Sequence, residues 1–165
     1  MSSTLKYTLI VFFCFLAVGC TSNNNDDIHL PSPLSIPESM LNKDLRVAAP
    51  VALNDFTKED LIILDITLVT DNQIVTSPDF NAEMYIYDNT SKEWKRIENL
   101  VKYETPPDEI FMKQGDSNFL VLFPDFSQFP ASLNKVFILA SGNIVENDQR
   151  TNKMIGTYII LNLKP

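Results

Sequence analysis

From residue 45 onward, apolar and polar residues alternate with a period of two, which marks half-buried strands rather than helices. The clearest run is Leu61 to Thr70. Ile62, Leu64, Ile66 and Leu68 fall on one face, and Asp65 and Thr67 on the other. Val47 to Leu53, broken by Pro50, predicts a short edge strand. After the turn Ser77-Pro78-Asp79, Phe80, Ala82, Met84 and Ile86 alternate with Asn81, Glu83, Tyr85 and Tyr87. Asp88 to Lys92 turns the chain into a strand from Trp94 to Glu98. Pro106-Pro107 makes Tyr103 to Glu109 a loop, followed by a short strand from Ile110 to Met112. Gly115 to Asn118 turns into Phe119 to Phe123, a near-continuous apolar run of the kind covered on both faces. Val136 to Val145 and Met154 to Leu163 predict a closing hairpin, with a bulge at Gly142 and a wholly polar loop from Glu146 to Lys153. Only Pro124 to Pro130, with Phe126 and Phe129 three apart, offers a helical turn, placed to cap the core.

Seven or eight short strands in ~120 residues, separated by turn signals, predict an all-β fold, an antiparallel two-sheet sandwich spanning residues 45–165. The layout resembles immunoglobulin-like and fibronectin type III-like sandwiches in architecture alone. The paired cysteines of the immunoglobulin family are absent, and no tyrosine-corner residue precedes Val136. There is no internal repeat.

The stretch before this domain is different in kind. Thr21 to about Asn42 is polar and interrupted by Pro31, Pro33 and Pro37, a composition that favours extended polyproline backbone. The simplest expectation is a flexible tether over residues 20–44, with a reach of about 65–70 Å when ~20 of its residues are fully stretched. The alternative is that Pro31 to Pro37 is a proline-rich ligand for a partner.

Further upstream, Lys6 precedes an unbroken apolar run from Leu9 to Val18. As a helix this run covers about 15 Å, half of a bilayer core of about 30 Å. It has the build of a secretory signal. The residues Leu16-Ala17-Val18-Gly19-Cys20 resemble the lipobox of bacterial lipoproteins, with Ala17 where Leu is commoner. The resemblance implies removal of residues 1–19, a diacylglyceryl group on the Cys20 thiol, and often acylation of the new amino group. Two or three acyl chains exceed what stable anchoring takes. Localisation then follows as a lipid-anchored envelope protein, on the outer membrane of a Gram-negative cell or the outer leaflet of the cytoplasmic membrane otherwise. Thr21 after the cysteine points away from inner-membrane retention by the same resemblance. Asp26-Asp27 is a late version of the acidic cluster of surface-exposed lipoproteins, so either face of the membrane stays open.

Loss of Lys6 takes the formal charge from −8 to −9. An acidic chain without a basic cluster is no nucleic-acid binder, and anionic lipid would repel it, so the acyl chains must supply the membrane attachment. Cys14 leaves with the leader and Cys20 is acylated, so no thiol remains for a disulfide, a zinc site or a nucleophile. His29, the sole histidine, lies in the tether. A catalytic triad therefore lacks its base, and the three glycines of the domain form no phosphate loop. No catalytic residue, metal ligand or cofactor is assigned. Asp71, Asn72, Asp79 and Asn81, or Glu146, Asn147 and Asp148, are oxygen ligands of the type calcium takes. They lack the ordered spacing of a calcium loop and are equally ordinary turn formers.

The aromatic residues remain. Tyr85 and Tyr87 share one strand face and Trp94 lies on the next strand, so together they could form an exposed stacking platform for a sugar or protein partner. The competing expectation is that the sheet buries them. The function these features favour is a non-catalytic interaction or structural module on a lipid anchor. The alternatives are a carbohydrate-binding surface lipoprotein reading glycans through Tyr85, Tyr87 and Trp94, and a hydrolase inhibitor or immunity-type protein using a long protruding loop such as Glu146 to Lys153.

Overall fold

The computed structural model describes residues 29–49, 56–57, 61–97, 108–124, 126 and 133–164. The leader and Cys20 lie outside these residues, as do Val51 to Leu53, most of the Tyr103–Glu109 loop and Phe129. Among the described residues are ten strands: β1 Leu45–Ala48, β2 Phe56–Thr57, β3 Ile62–Leu68, β4 Gln73–Thr76, β5 Glu83–Asp88, β6 Glu93–Ile97, β7 Ile110–Met112, β8 Ser117–Leu122, β9 Lys135–Glu146 and β10 Gln149–Lys164. The fold is an all-β sandwich. Relative to the eight segments expected, β2 and β4 are additional.

One sheet has the order β1-β3-β8 and the other the order β2-β10-β9-β4-β7. β5 pairs with β9 beyond the end of β4 and carries β6 at its outer edge. Every pairing is antiparallel except that of β2 with β10. The inner faces meet in one apolar core. Ile62, Leu64, Ile66 and Leu68 of β3 and Leu120 and Leu122 of β8 pack against Met84, Ile86, Val136, Ile138, Ile155 and Leu161 of the larger sheet. The period-two reading of Leu61 to Thr70 is therefore realised residue by residue.

Several expectations need correction. Phe80 does not belong to a strand. Phe80 and Asn81 take left-handed backbone, with φ of 52° and 45°, in a turn that interrupts the pairing along β9. There Phe80 drops into the core, while the Phe80 carbonyl accepts from Ser141 N–H at 2.7 Å. Thr76 Oγ1 and Asn81 Nδ2 donate to the Ser141 carbonyl at 2.7 and 3.3 Å, so the interrupted ladder stays satisfied.

The polar loop expected from Glu146 to Lys153 is a two-residue hairpin turn. Asn147 and Asp148 both have positive φ, 52° and 60°, as a type I′ turn requires. Pairing resumes at once at Gln149, and the irregularity lies between Arg150 and Met154 rather than at Gly142. Gly142 pairs regularly with Ile155. It is closely surrounded: a Cβ there would press on Ile74 Cδ1 at 2.9 Å and lie 3.3 Å from the Val75 carbonyl.

Among the described residues the longest run covered on both faces lies in β9, buried continuously from Val136 to Ile144. It does not lie in β8, where Phe119 stands 63 % exposed. β8 is the edge of a three-stranded sheet and buries one face only, whereas β9 is central in a sheet covered on both sides.

Candidate functional site

The register of the β5–β6 hairpin sets Trp94 directly across from Tyr87, and Arg96 across from Tyr85. Alternation turns Glu83, Tyr85 and Tyr87 away from the core that receives Met84 and Ile86. β9 adds Phe137 and Leu139 to the same outer face, and β10 adds Tyr158 and Ile160. The aromatic rings meet edge to face. Tyr87 and Trp94 lie 5.1 Å apart at 64°, Trp94 and Phe137 5.9 Å apart at 61°, and Tyr85 and Phe137 5.8 Å apart at 77°. Tyr158 alone stacks flat, on Phe137 at 5.0 Å. The three aromatics singled out from the sequence are thus neighbours on one face, but they form a herringbone and not a flat platform.

Nor is the face open. Residues 29–42, expected to be tether, cross it from the β6 side to β10. Leu30, Leu34, Ile36, Met40 and Leu41 pack with Tyr85, Trp94, Phe137, Leu139 and Tyr158 in a second apolar cluster. Trp94 Nε1 donates to the His29 carbonyl at 2.7 Å. At the far side Leu41 forms a parallel bridge with Gly156. Asn42 N–H donates to the Gly156 carbonyl at 2.9 Å, and its Oδ1 accepts from Thr157 Oγ1 and Tyr158 N–H at 2.7 and 3.0 Å. Gly156 is what lets the segment lie close, since a Cβ there would come within 2.7 Å of Ile36 Cδ1. The folded unit therefore begins by His29 and not at residue 45. Pro31 to Pro37, considered above as a ligand for a partner, packs on the chain's own aromatic face.

Under this strap Tyr85 is 5 % exposed. Its hydroxyl donates to Glu83 Oε2 at 2.6 Å. Burial and then the hydrogen bond to the Glu83 carboxylate push the Tyr85 phenol up to about 12. Arg96 stands 3.8 Å from the other oxygen of Glu83, so the buried carboxylate has a cation beside it. This arrangement holds a carboxylate in place. It pairs no nucleophile with a base.

Of the residues weighed for calcium, Asp79 and Asn72 are held by hydrogen bonds within the chain. Asp79 accepts from Ser77 Oγ and from Asn81 N–H, and Asn72 donates to Asp44 at 3.3 Å. Among the described residues there is no group of three or more His, Cys, Asp or Glu placed to share a metal ion. What the sequence did not signal was the role of Phe137 and Tyr158, both inside the closing hairpin, or the docking of the strap. The one available sign was the apolar content of the presumed spacer: Leu30, Leu34, Ile36 and Leu41 would be out of place in a solvated linker.

Strap and turns give the sandwich two distinct ends. At one end lie the β5–β6 turn of Asp88 to Lys92 and the exit of the strap at His29. At the other lie the β9–β10 turn at Asn147-Asp148, the β3–β4 connection at Asp71-Asn72 and the β7–β8 turn at Gln114-Gly115. No protein-family model, curated protein or solved structure matches the chain.

Proposed function

We propose that this chain is a lipid-anchored envelope protein whose sandwich is a non-catalytic interaction or structural module. The observation that carries the proposal is the short spacing between the lipobox cysteine and the first docked residue. Cys20 and His29 are nine residues apart, and the chain from His29 onward is packed on the sheet. Nine residues reach about 30 Å at most, less than half the reach expected of an undocked tether. An acylated Cys20 would hold the sandwich close to the bilayer with its strap-exit end inward. The turns at Asp71-Asn72, Gln114-Gly115 and Asn147-Asp148 would then face away from the membrane, as recognition loops on a rigid scaffold do.

Among the described residues, Tyr85, Tyr87 and Trp94 make no flat, open platform of the kind the glycan alternative uses, and Glu146 to Lys153 is a tight turn rather than the long loop considered for an inhibitor. Among the described residues no helix is long and apolar enough to cross a membrane; in this proposal the acyl chains on Cys20 are the attachment. The test is Cys20→Ser. The parent should partition with detergent and membranes and carry the mass of the acyl groups on the fragment beginning at Cys20. The variant should carry no acyl mass and should not be cut before residue 20. A variant that still partitions with membranes and is trimmed at the same bond would remove the anchor from the proposal.

A further inference from the structure

Four large apolar side chains are exposed among the described residues: Leu61, Phe111, Phe119 and Phe123. Three of them belong to one surface. On the outer face of the three-stranded sheet, Ile63 lies across from Val121 and Asp65 across from Phe119. Continuing that register one step sets Leu61 across from Phe123. The face therefore reads, from its end inward, Leu61 with Phe123, then Ile63 with Val121, then Phe119. It stops at Asp65, whose Oδ1 is shielded from solvent without a hydrogen-bond partner. Phe123 is 49 % exposed and Leu61 39 %. Isolated exposed apolar residues are ordinary, but a contiguous ladder marks a contact surface.

The position of the ladder identifies the partner. β3 runs from Ile62 to Leu68 and reaches the Asp71-Asn72 connection at the far end, so Leu61 and Phe123 lie at the opposite end of the sandwich. That is the end where the strap leaves the sheet beside Trp94. The chain between His29 and Cys20 spans no more than about 30 Å. The ladder and the strap exit sit on opposite sheets, whose layers pack about 10 Å apart. Both are thus within reach of one plane. We infer that the Leu61–Phe123 end of this face is a second membrane contact that rests the sandwich on the bilayer interface; this depends on acylation of Cys20. Aromatic and aliphatic side chains partition into the headgroup boundary. The chain is acidic overall, so the contact is apolar, and neither anionic lipid nor low salt should strengthen it.

The test uses the mature, acylated full chain in phosphatidylcholine vesicles. With Cys20 acylated, a single introduced cysteine is the only thiol. A nitroxide is attached at Leu61→Cys, Phe123→Cys or, as a control, Asp148→Cys, and its collision rates with oxygen and with a water-soluble nickel chelate are measured. At positions 61 and 123 oxygen collisions should outweigh those with nickel, and at 148 the order should reverse. Anionic lipid should not raise the oxygen-to-nickel ratios at 61 and 123, because the acidic chain gains no attraction from it. An acylated protein that floats with the vesicles but has all three labels equally open to nickel would overturn the membrane contact and leave the anchor standing. Dipolar broadening between labels at 123 would mean that a second copy covers the face, and would overturn it too. Absence of acyl mass on Cys20 would overturn both proposals together.

Discussion

Ile36→Ala tests whether residues 29–42 are part of the fold. Ile36 is buried to 2 % exposure against Leu41, Tyr85, Phe137 and Leu139. The substitution removes three carbons, worth ~0.8 kcal/mol each on transfer from water, or ~2.4 kcal/mol in all. A cavity left behind adds to that figure. Lifting of the strap limits the addition, because the loss cannot exceed what docking itself contributes. The expected destabilisation is therefore about 2–3 kcal/mol in equilibrium urea unfolding followed by Trp94 fluorescence. Domains of this kind hold only about 5–15 kcal/mol in total, so the shift in midpoint is plain. Trp94 supplies a second readout. When the strap loosens, the indole N–H loses the His29 carbonyl, and emission should move to longer wavelength before global unfolding. Ser35→Ala, at an exposed strap position, should stay within about 0.5 kcal/mol of the parent. If Ile36→Ala does the same and leaves Trp94 emission unchanged, residues 29–42 are a free tether and the covered aromatic face is wrong.

Gly156→Ala should cost about 1–3 kcal/mol, because its Cβ meets Ile36 Cδ1 at 2.7 Å and the Ala140 carbonyl at 3.0 Å. In the double variant with Ile36→Ala the loss should fall short of the sum of the singles, since the shortened side chain clears the clash; strict additivity in the same unfolding assay would deny the contact. Tyr85→Phe removes the donor to the Glu83 carboxylate and should cost about 1.5–3 kcal/mol at neutral pH. It should also change the alkaline limb of stability. Below pH 10 the phenol is protonated in folded and unfolded chains alike, so it adds no slope. Between 10 and about 12 the unfolded chain ionises first, and the parent should lose ~1.4 kcal/mol per pH unit more than the variant. Parallel pH profiles for the two proteins would contradict this. Asp148→Gly places the better residue at a type I′ position with φ of 60° and should raise the unfolding free energy by up to ~1 kcal/mol; a loss would mean the turn is of another type.

Local pattern in the chain determined the strands. Alternation on β3, the length of β7 and the closing pair β9–β10 follow from side chains that must sort to two faces wherever one of them is dry. The same alternation placed Tyr85 and Tyr87 together, with Trp94 on the neighbouring strand. Only the tertiary structure decided which apolar surfaces are covered. Phe119 to Phe123 and Val136 to Ala140 read alike in sequence, yet the first buries only Leu120 and Leu122 and turns Phe119, Val121 and Phe123 outward from an edge strand, whereas the second is central and buried on both sides. Residues 30–41 read as spacer because proline and serine dominate their local preferences. Their burial comes from a sheet face built by residues more than forty positions later, with Gly156 leaving the space. Covering depends on contacts between distant segments, and a period along the chain carries no record of what lies across from it.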